Sequence, residues 1–167
     1  MGDIVGTTDD VVTTRAYKAR GDVDQLLDKP CEEIVRDGAG QTLRQTRYAY
    51  DGGGFGCAAG VTTGDVTSVK RSIDPGRSVT DSYLYSAEGL VTTHTDPLSH
   101  TTTTVYDSSF PWFPIRAEKQ VVNAGGPTTI ATERRWLAVN EVSLDRFGLV
   151  SQEIDANGDA TQRTYDA

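Results

Sequence analysis

Histidine, cysteine and methionine are nearly missing from these 167 residues: two, two and one respectively. With only His94 and His100, a multi-histidine metal centre cannot be built. Cys31 and Cys57 have no CxxC spacing, so they fit neither a zinc site nor a dense disulfide framework. They read as two free, part-buried thiols, with a bridge as the alternative in an oxidising compartment. Basic residues are outnumbered, 16 against 24 acidic, for a net charge of −8. Nucleic acid is therefore not expected as a partner, because binding phosphates requires clustered Lys and Arg. No apolar run approaches the roughly 18 to 20 residues of a membrane-spanning helix, so no membrane span is expected. Met1-Gly2-Asp3-Ile4-Val5 has neither a basic n-region nor an apolar h-region, so this stretch holds no signal peptide. Leu, Ile, Val and Phe sum to about 21%, near the level below which chains tend not to fold, and the core is expected to be thin.

Helical periodicity is also scarce. Val23–Asp28 reads as a short helical turn stopped by Pro30. No other stretch keeps a 3.6-residue apolar period over three turns. Catalytic arrangements are lacking too: serines and aspartates are spread along the chain as turn residues need them. No Ser-His-Asp, Cys-His or paired-carboxylate constellation stands out. The sequence reads as non-enzymatic and without a cofactor.

What is present is a series of Thr/Val/Tyr-rich runs separated by Gly, Asp, Asn and Pro clusters, the mark of hairpins in series. Residues 1–30 form an N-terminal strand and loop segment, with Val11–Tyr17 as the strand. Five hairpin units follow over 31–167: 31–51, 66–85, 89–107, 115–136 and 148–166. Their turns fall at Asp37-Gly38-Ala39-Gly40, Asp74-Pro75-Gly76-Arg77, Asp96-Pro97-Leu98-Ser99, Asn123-Ala124-Gly125-Gly126 and Asp155-Ala156-Asn157-Gly158. The third and fifth units match without a gap. Gly89 and Gly148 open them, Asp96 and Asp155 start their turns, and Tyr106-Asp107 and Tyr165-Asp166 close them, each pair 59 residues apart. This is an internal repeat. Asp at the turn start accepts backbone amides, and a later Gly supplies a positive φ. A four-residue loop pairs Ile154 with Asp159 and Val150 with Arg163, placing Val150, Ile154 and Tyr165 on one face. The Tyr is then an anchor, and the following Asp begins the next turn.

Gly-Leu-Val, Asp-x-x-Gly and Tyr-Asp in this order resemble the units of the Rhs/YD-repeat family. Gly148-Leu149-Val150 through Asp155 and Gly158 to Tyr165-Asp166 is the fullest match. In the unit from Gly89 to Asp107, Ser99 takes the glycine position; Tyr50-Asp51 matches the closing half. The second and fourth units, closing with Tyr85-Ser86 and Trp136-Leu137, depart from the pattern. The resemblance implies an all-β fold of tandem antiparallel hairpins, forming a curved ribbon or part of a β-shell. It also implies the company of bacterial Rhs toxins, the B and C components of insecticidal toxin complexes, and teneurins. The expected role is structural: a piece of secreted or bacterial cell-surface wall that encloses or presents a toxin or effector. The partners would be the remaining repeats of a longer chain or copies of itself. The family's shell-closing motif, rich in Asp-Pro and followed by a self-cleavage site, is not matched, and no effector follows.

Other motifs weigh little against plainer readings. Gly52-Gly53-Gly54-Phe55-Gly56 lacks the Lys-Ser/Thr of a phosphate loop and reads as a connection. Asp155–Asp159 with Asp166 resembles a calcium loop, but Ala160 stands where its glycine belongs. With four-residue loops, His94 and His100 point to opposite faces. Arg20-Gly21-Asp22 reads as incidental. Phe110-Pro111-Trp112-Phe113-Pro114 reads as a plug between units. Its alternative is a binding platform of Trp112 and Phe113 for a glycan ring or a partner side chain, which would make the chain an adhesion module.

Overall fold

The fold is all-β. A computed structural model describes residues 10–18, 29–58, 60–123, 126–136 and 148–165. Among the described residues eleven strands follow one another along the chain, antiparallel to the neighbours they pair with inside each unit: β1 (Val11–Tyr17), β2 (Pro30–Asp37), β3 (Thr42–Tyr50), β4 (Val66–Asp74), β5 (Arg77–Tyr85), β6 (Val91–Thr95), β7 (Thr101–Tyr106), β8 (Pro114–Asn123), β9 (Gly126–Trp136), β10 (Val150–Ile154) and β11 (Ala160–Gln162). Val23–Asp28, Arg20-Gly21-Asp22, the Ala124-Gly125 tip, Leu137 and Asp166 lie outside the described residues. The chain divides into two compact units, Met1–Tyr83 and Leu84–Ala167.

In the first unit a small core forms around Cys31, Ala49, Tyr50, Val61 and Val69, with Thr46 and Asp81 buried beside it. Cross-strand partners share a face of a sheet, so opposite charges placed in register meet. Arg15 faces Glu33 and donates to it at 2.8 Å, while Arg44 reaches the same carboxylate at 3.1 Å. Glu32 faces Arg47 at 2.8 Å. Arg71 pairs with the buried Asp81.

The second unit has no buried residue among those described. Every residue of β6 and β10 is half-buried, so these strands show no inside and outside. A Thr-rich strand suits this setting, since its methyl packs on neighbours while its hydroxyl meets water. Charge ladders recur here too. Arg134 faces Glu153 and donates to it at 2.9 Å, and Arg163 joins the same carboxylate.

The turns are built differently from the four-residue loops expected. Asp155 and Asp159 form a backbone pair, Asp155 N–H to Asp159 O at 2.9 Å, around a three-residue loop. Ile154 therefore faces Ala160 rather than Asp159, and the Arg163 amide bonds Ser151 O, a register one residue away from the expected one. The cause is local. The Asp155 carbonyl accepts Gly158 N–H at 3.0 Å, which folds the loop back on itself, and the Asp159 amide goes to the Asp155 side chain instead. Its carboxylate takes over, accepting Asn157 N–H at 2.8 Å and Asp159 N–H at 3.0 Å. The fourth turn residue must be left-handed, and Gly158 has φ 90°. Asp37 and Asp96 make the same four bonds, with Gly40 and Ser99 at the left-handed position. Ser86 builds the link into β6 in the same way, with Gly89 at φ 77°. The second hairpin differs: Pro75-Gly76 makes a two-residue loop between Asp74 and Arg77, whose side chains pair; in the fourth, Asn123 pairs with Gly126.

Candidate functional site

The residues singled out by the repeat converge on a recurring device at the open ends of the first, third, fourth and fifth hairpins. Tyr50, closing β3, donates its hydroxyl to Pro30 O, the first residue of β2, at 2.9 Å. Tyr106, closing β7, donates to Val91 O, the first residue of β6, at 2.9 Å. Tyr165 donates to Val150 O, the first residue of β10, at 2.9 Å. The 59-residue offset between the third and fifth units thus holds for donor, acceptor and turn alike. The fourth hairpin makes the same bond with another side chain: Trp136 Nε1–H donates to Pro114 O, the first residue of β8, at 2.9 Å. The departure seen in its sequence is chemical, not geometric. Indole and phenol both place a donor at the far edge of a flat ring.

Two acceptors are prolines opening their strands, where a missing N–H costs no ladder bond. The sequence marks the tyrosines as anchors but does not give Trp136, Pro30 or Pro114 a part in the same bond. The available signal was Trp136 at the closing position of its unit. Tyr50 is the deepest of the four, only 4% exposed, and its burial pushes the phenol up to about 12. Lys18 Nζ lies 5.9 Å from its ring centre.

The aspartates after Tyr50 and Tyr106 organise the connections to the next hairpin. Asp51 accepts Thr62 N–H at 2.7 Å, Gly64 N–H at 3.0 Å, Asp65 N–H at 3.0 Å and Thr63 Oγ1–H at 2.6 Å. Burial disfavours its charged form, but these donors outweigh burial and hold the carboxyl well below the usual carboxylate range. Asp107 does a smaller version of this, accepting Ser109 N–H at 2.8 Å and Phe110 N–H at 2.9 Å.

The two cysteines are not free thiols as expected but form a Cys31–Cys57 disulfide, with Cα atoms 5.3 Å apart. Cys31 is the second residue of β2 and Cys57 sits in the connection after β3, so the hairpin brings together residues that are 26 apart in sequence. Composition carries no information about that proximity.

The aromatic cluster separates into two roles. Phe113 stacks on Trp136 with ring centres 5.1 Å apart and lies 6.1 Å from Phe110. It also abuts Gly148, where a Cβ would come within 3.3 Å of its ring and where φ is 80°. Phe113 is a plug within the second unit. Trp112 turns outward, 65% exposed. A groove of about 730 Å³ runs beside the plug, lined by Phe110, Phe113, Trp136, Arg116, Glu133 and Arg135 among others; Trp112 is not part of it.

The histidines do not meet as ligands. His100 Nδ1 lies 2.9 Å from Asp96 Oδ2, supporting its own turn, and His94 stands in β6 opposite Thr102. Among the described residues no three His, Cys, Asp or Glu side chains are grouped to hold a metal ion. The Asp155 carboxylate that a calcium loop would use is engaged by backbone amides. No helix of the described residues is long and apolar enough to cross a membrane.

The architecture defines a tandem β-hairpin protein. No family model matches this chain, and no curated protein matches it.

Proposed function

We propose that this chain is a non-catalytic wall segment of a secreted or cell-surface YD-repeat protein, one that helps enclose or present a toxin or effector polypeptide. The observation that carries the reading is the hairpin clamp: a closing aromatic bonded to the carbonyl that opens the same hairpin, repeated four times. A lone hairpin is not stable in water, and a clamp at each open end lets short units follow one another with little core. The disulfide fits an oxidising compartment. In this reading the outermost strands meet further repeats or other copies of the chain, because an open strand edge is a template for pairing. Sedimentation of the full chain across a wide dilution range tests this. Reversible, concentration-dependent association is expected; a monomer at every concentration overturns it.

A second reading, a glycan- or protein-binding adhesion module, is favoured by one observation, the outward Trp112. A glycan array read with the native chain and with Trp112→Ala decides it: binding lost in the variant supports adhesion, and no Trp-dependent binding removes it.

A further inference from the structure

The connection between β3 and β4 is unevenly held. At its start, Gly52 N–H bonds Thr67 Oγ1 at 3.0 Å and Gly53 N–H bonds Tyr50 O at 2.8 Å. At its end, Thr62, Thr63, Gly64 and Asp65 are gathered by the Asp51 carboxylate, and Val61 is 2% exposed. Between these anchors, Gly54, Phe55, Gly56, Cys57 and Ala58 make no hydrogen bond or ion pair with any other described residue; among the described residues their bonded tie is the Cys31–Cys57 disulfide. Beneath them lies a cavity of about 260 Å³, lined by Cys31, Glu32, Arg47, Phe55, Gly56 and Cys57. The hairpin below is held by other ties besides the bridge. It has its own backbone ladder, the Tyr50–Pro30 bond and the Glu32–Arg47 and Glu33–Arg44 pairs.

We propose that Gly54–Ala58 is a redox-latched flap, closed by the Cys31–Cys57 bond and released from the β2–β3 hairpin when a dithiol reduces it. Cys57 is half-buried and Cys31 is 1% exposed, so attack falls on the Cys57 sulfur. A reductant thiolate bonds to Cys57 Sγ as the Cys31–Cys57 bond breaks, and Cys31 leaves as a thiolate that takes a proton. The reductant's second thiol then displaces Cys57, which takes the other proton, and the reductant departs as its own disulfide. Two electrons and two protons pass to the protein. Release uncovers the buried Cys31 and the half-buried Glu32, while the Tyr50–Gly53 bond before Gly54 stays in place. The inference rests on the loop's own bonding and is independent of the wall reading.

Limited chymotryptic digestion of the full chain tests it, using oxidised protein, protein reduced with dithiothreitol, and Cys57→Ser. Phe55 is 39% exposed but tethered two residues away by the bridge, which hinders its fit into a protease cleft. Reduction and Cys57→Ser are each expected to raise cleavage after Phe55 by about tenfold or more, with no gain after Tyr48 or Tyr50 in β3. Equal cleavage after Phe55 in all three samples overturns the latch. Simultaneous cleavage at Tyr48 and Tyr50, or a Cys57→Ser variant that does not fold, also overturns it, because the bridge would then be a staple of the hairpin itself.

Discussion

Residues 1–83 and 84–167 use the same hairpin logic but hold their connections by different means. In the first unit the link after Tyr50-Asp51 is long and glycine-rich. It is held by a carboxylate with four close donors, a disulfide and the buried Val61. In the second unit the link after Tyr106-Asp107 is short, held by a carboxylate with two amide donors and by stacked rings of Phe113 and Trp136. A long loop costs more entropy to close and offers few side chains of its own, so covalent and charged ties replace packing. A short aromatic loop supplies its own packing and needs neither. The bridge alone, closing a separation of 26 residues, contributes about 3.5 kcal/mol by constraining the unfolded chain.

Replacing the two link aspartates gives the sharpest contrast. Asp51→Ala leaves several amides without an acceptor and is expected to destabilise the first unit by about 3 kcal/mol, against about 1 kcal/mol for Asp107→Ala in the second. Urea unfolding with segment-resolved hydrogen exchange separates the units, and equal losses would dissolve the distinction. Acid should act in the same direction. Asp51 is held below its ordinary value in the fold, so its contribution is complete above about pH 4 and is lost as pH falls further. The amide NMR signals of Thr62, Gly64 and Asp65 should then shift together below that pH.

The clamps differ by burial. Tyr50→Phe leaves the Pro30 carbonyl without its donor in a nearly dry setting and is expected to cost about 2 kcal/mol. Tyr165→Phe, at a site water can reach, should cost about 0.5 to 1 kcal/mol. Thermal unfolding of the two variants measures the difference; a larger loss at Tyr165 would break the argument.

Within the second unit the comparison narrows to one turn position. Ser99 has φ 68° where Gly158 has φ 90°, and a side chain is strained there. Ser99→Gly is expected to stabilise by about 1 kcal/mol and Gly158→Ser to destabilise by a similar amount, read by chemical denaturation.

The hairpins were legible because their signals are local. β1 occupies Val11–Tyr17, the run marked by its β-branched residues, and the turns at Asp37, Asp96 and Asp155 lie where Asp and a following Gly or Ser announce them. The register differs by one residue from the expected one because Asp155 itself pairs with Asp159 and joins the ladder, leaving a three-residue loop, which counting turn letters does not reveal. Trp136 was read as a break in the pattern because its likeness to tyrosine here is one of reach, not of residue type. The aromatic cluster was seen as a whole; that Phe113 packs and Trp112 does not depends on which neighbours the strands bring alongside.

By itself the sequence determined an all-β chain of tandem hairpins, where each one turns and which tyrosines close them, since turn chemistry and β-propensity act over a few residues. The tertiary structure alone decided which carbonyl each aromatic ring reaches, that Cys31 and Cys57 are bonded, and that Asp51 gathers a loop ending fourteen residues later. Those partners are far apart along the chain, and only pairing of the strands brings them within bonding distance.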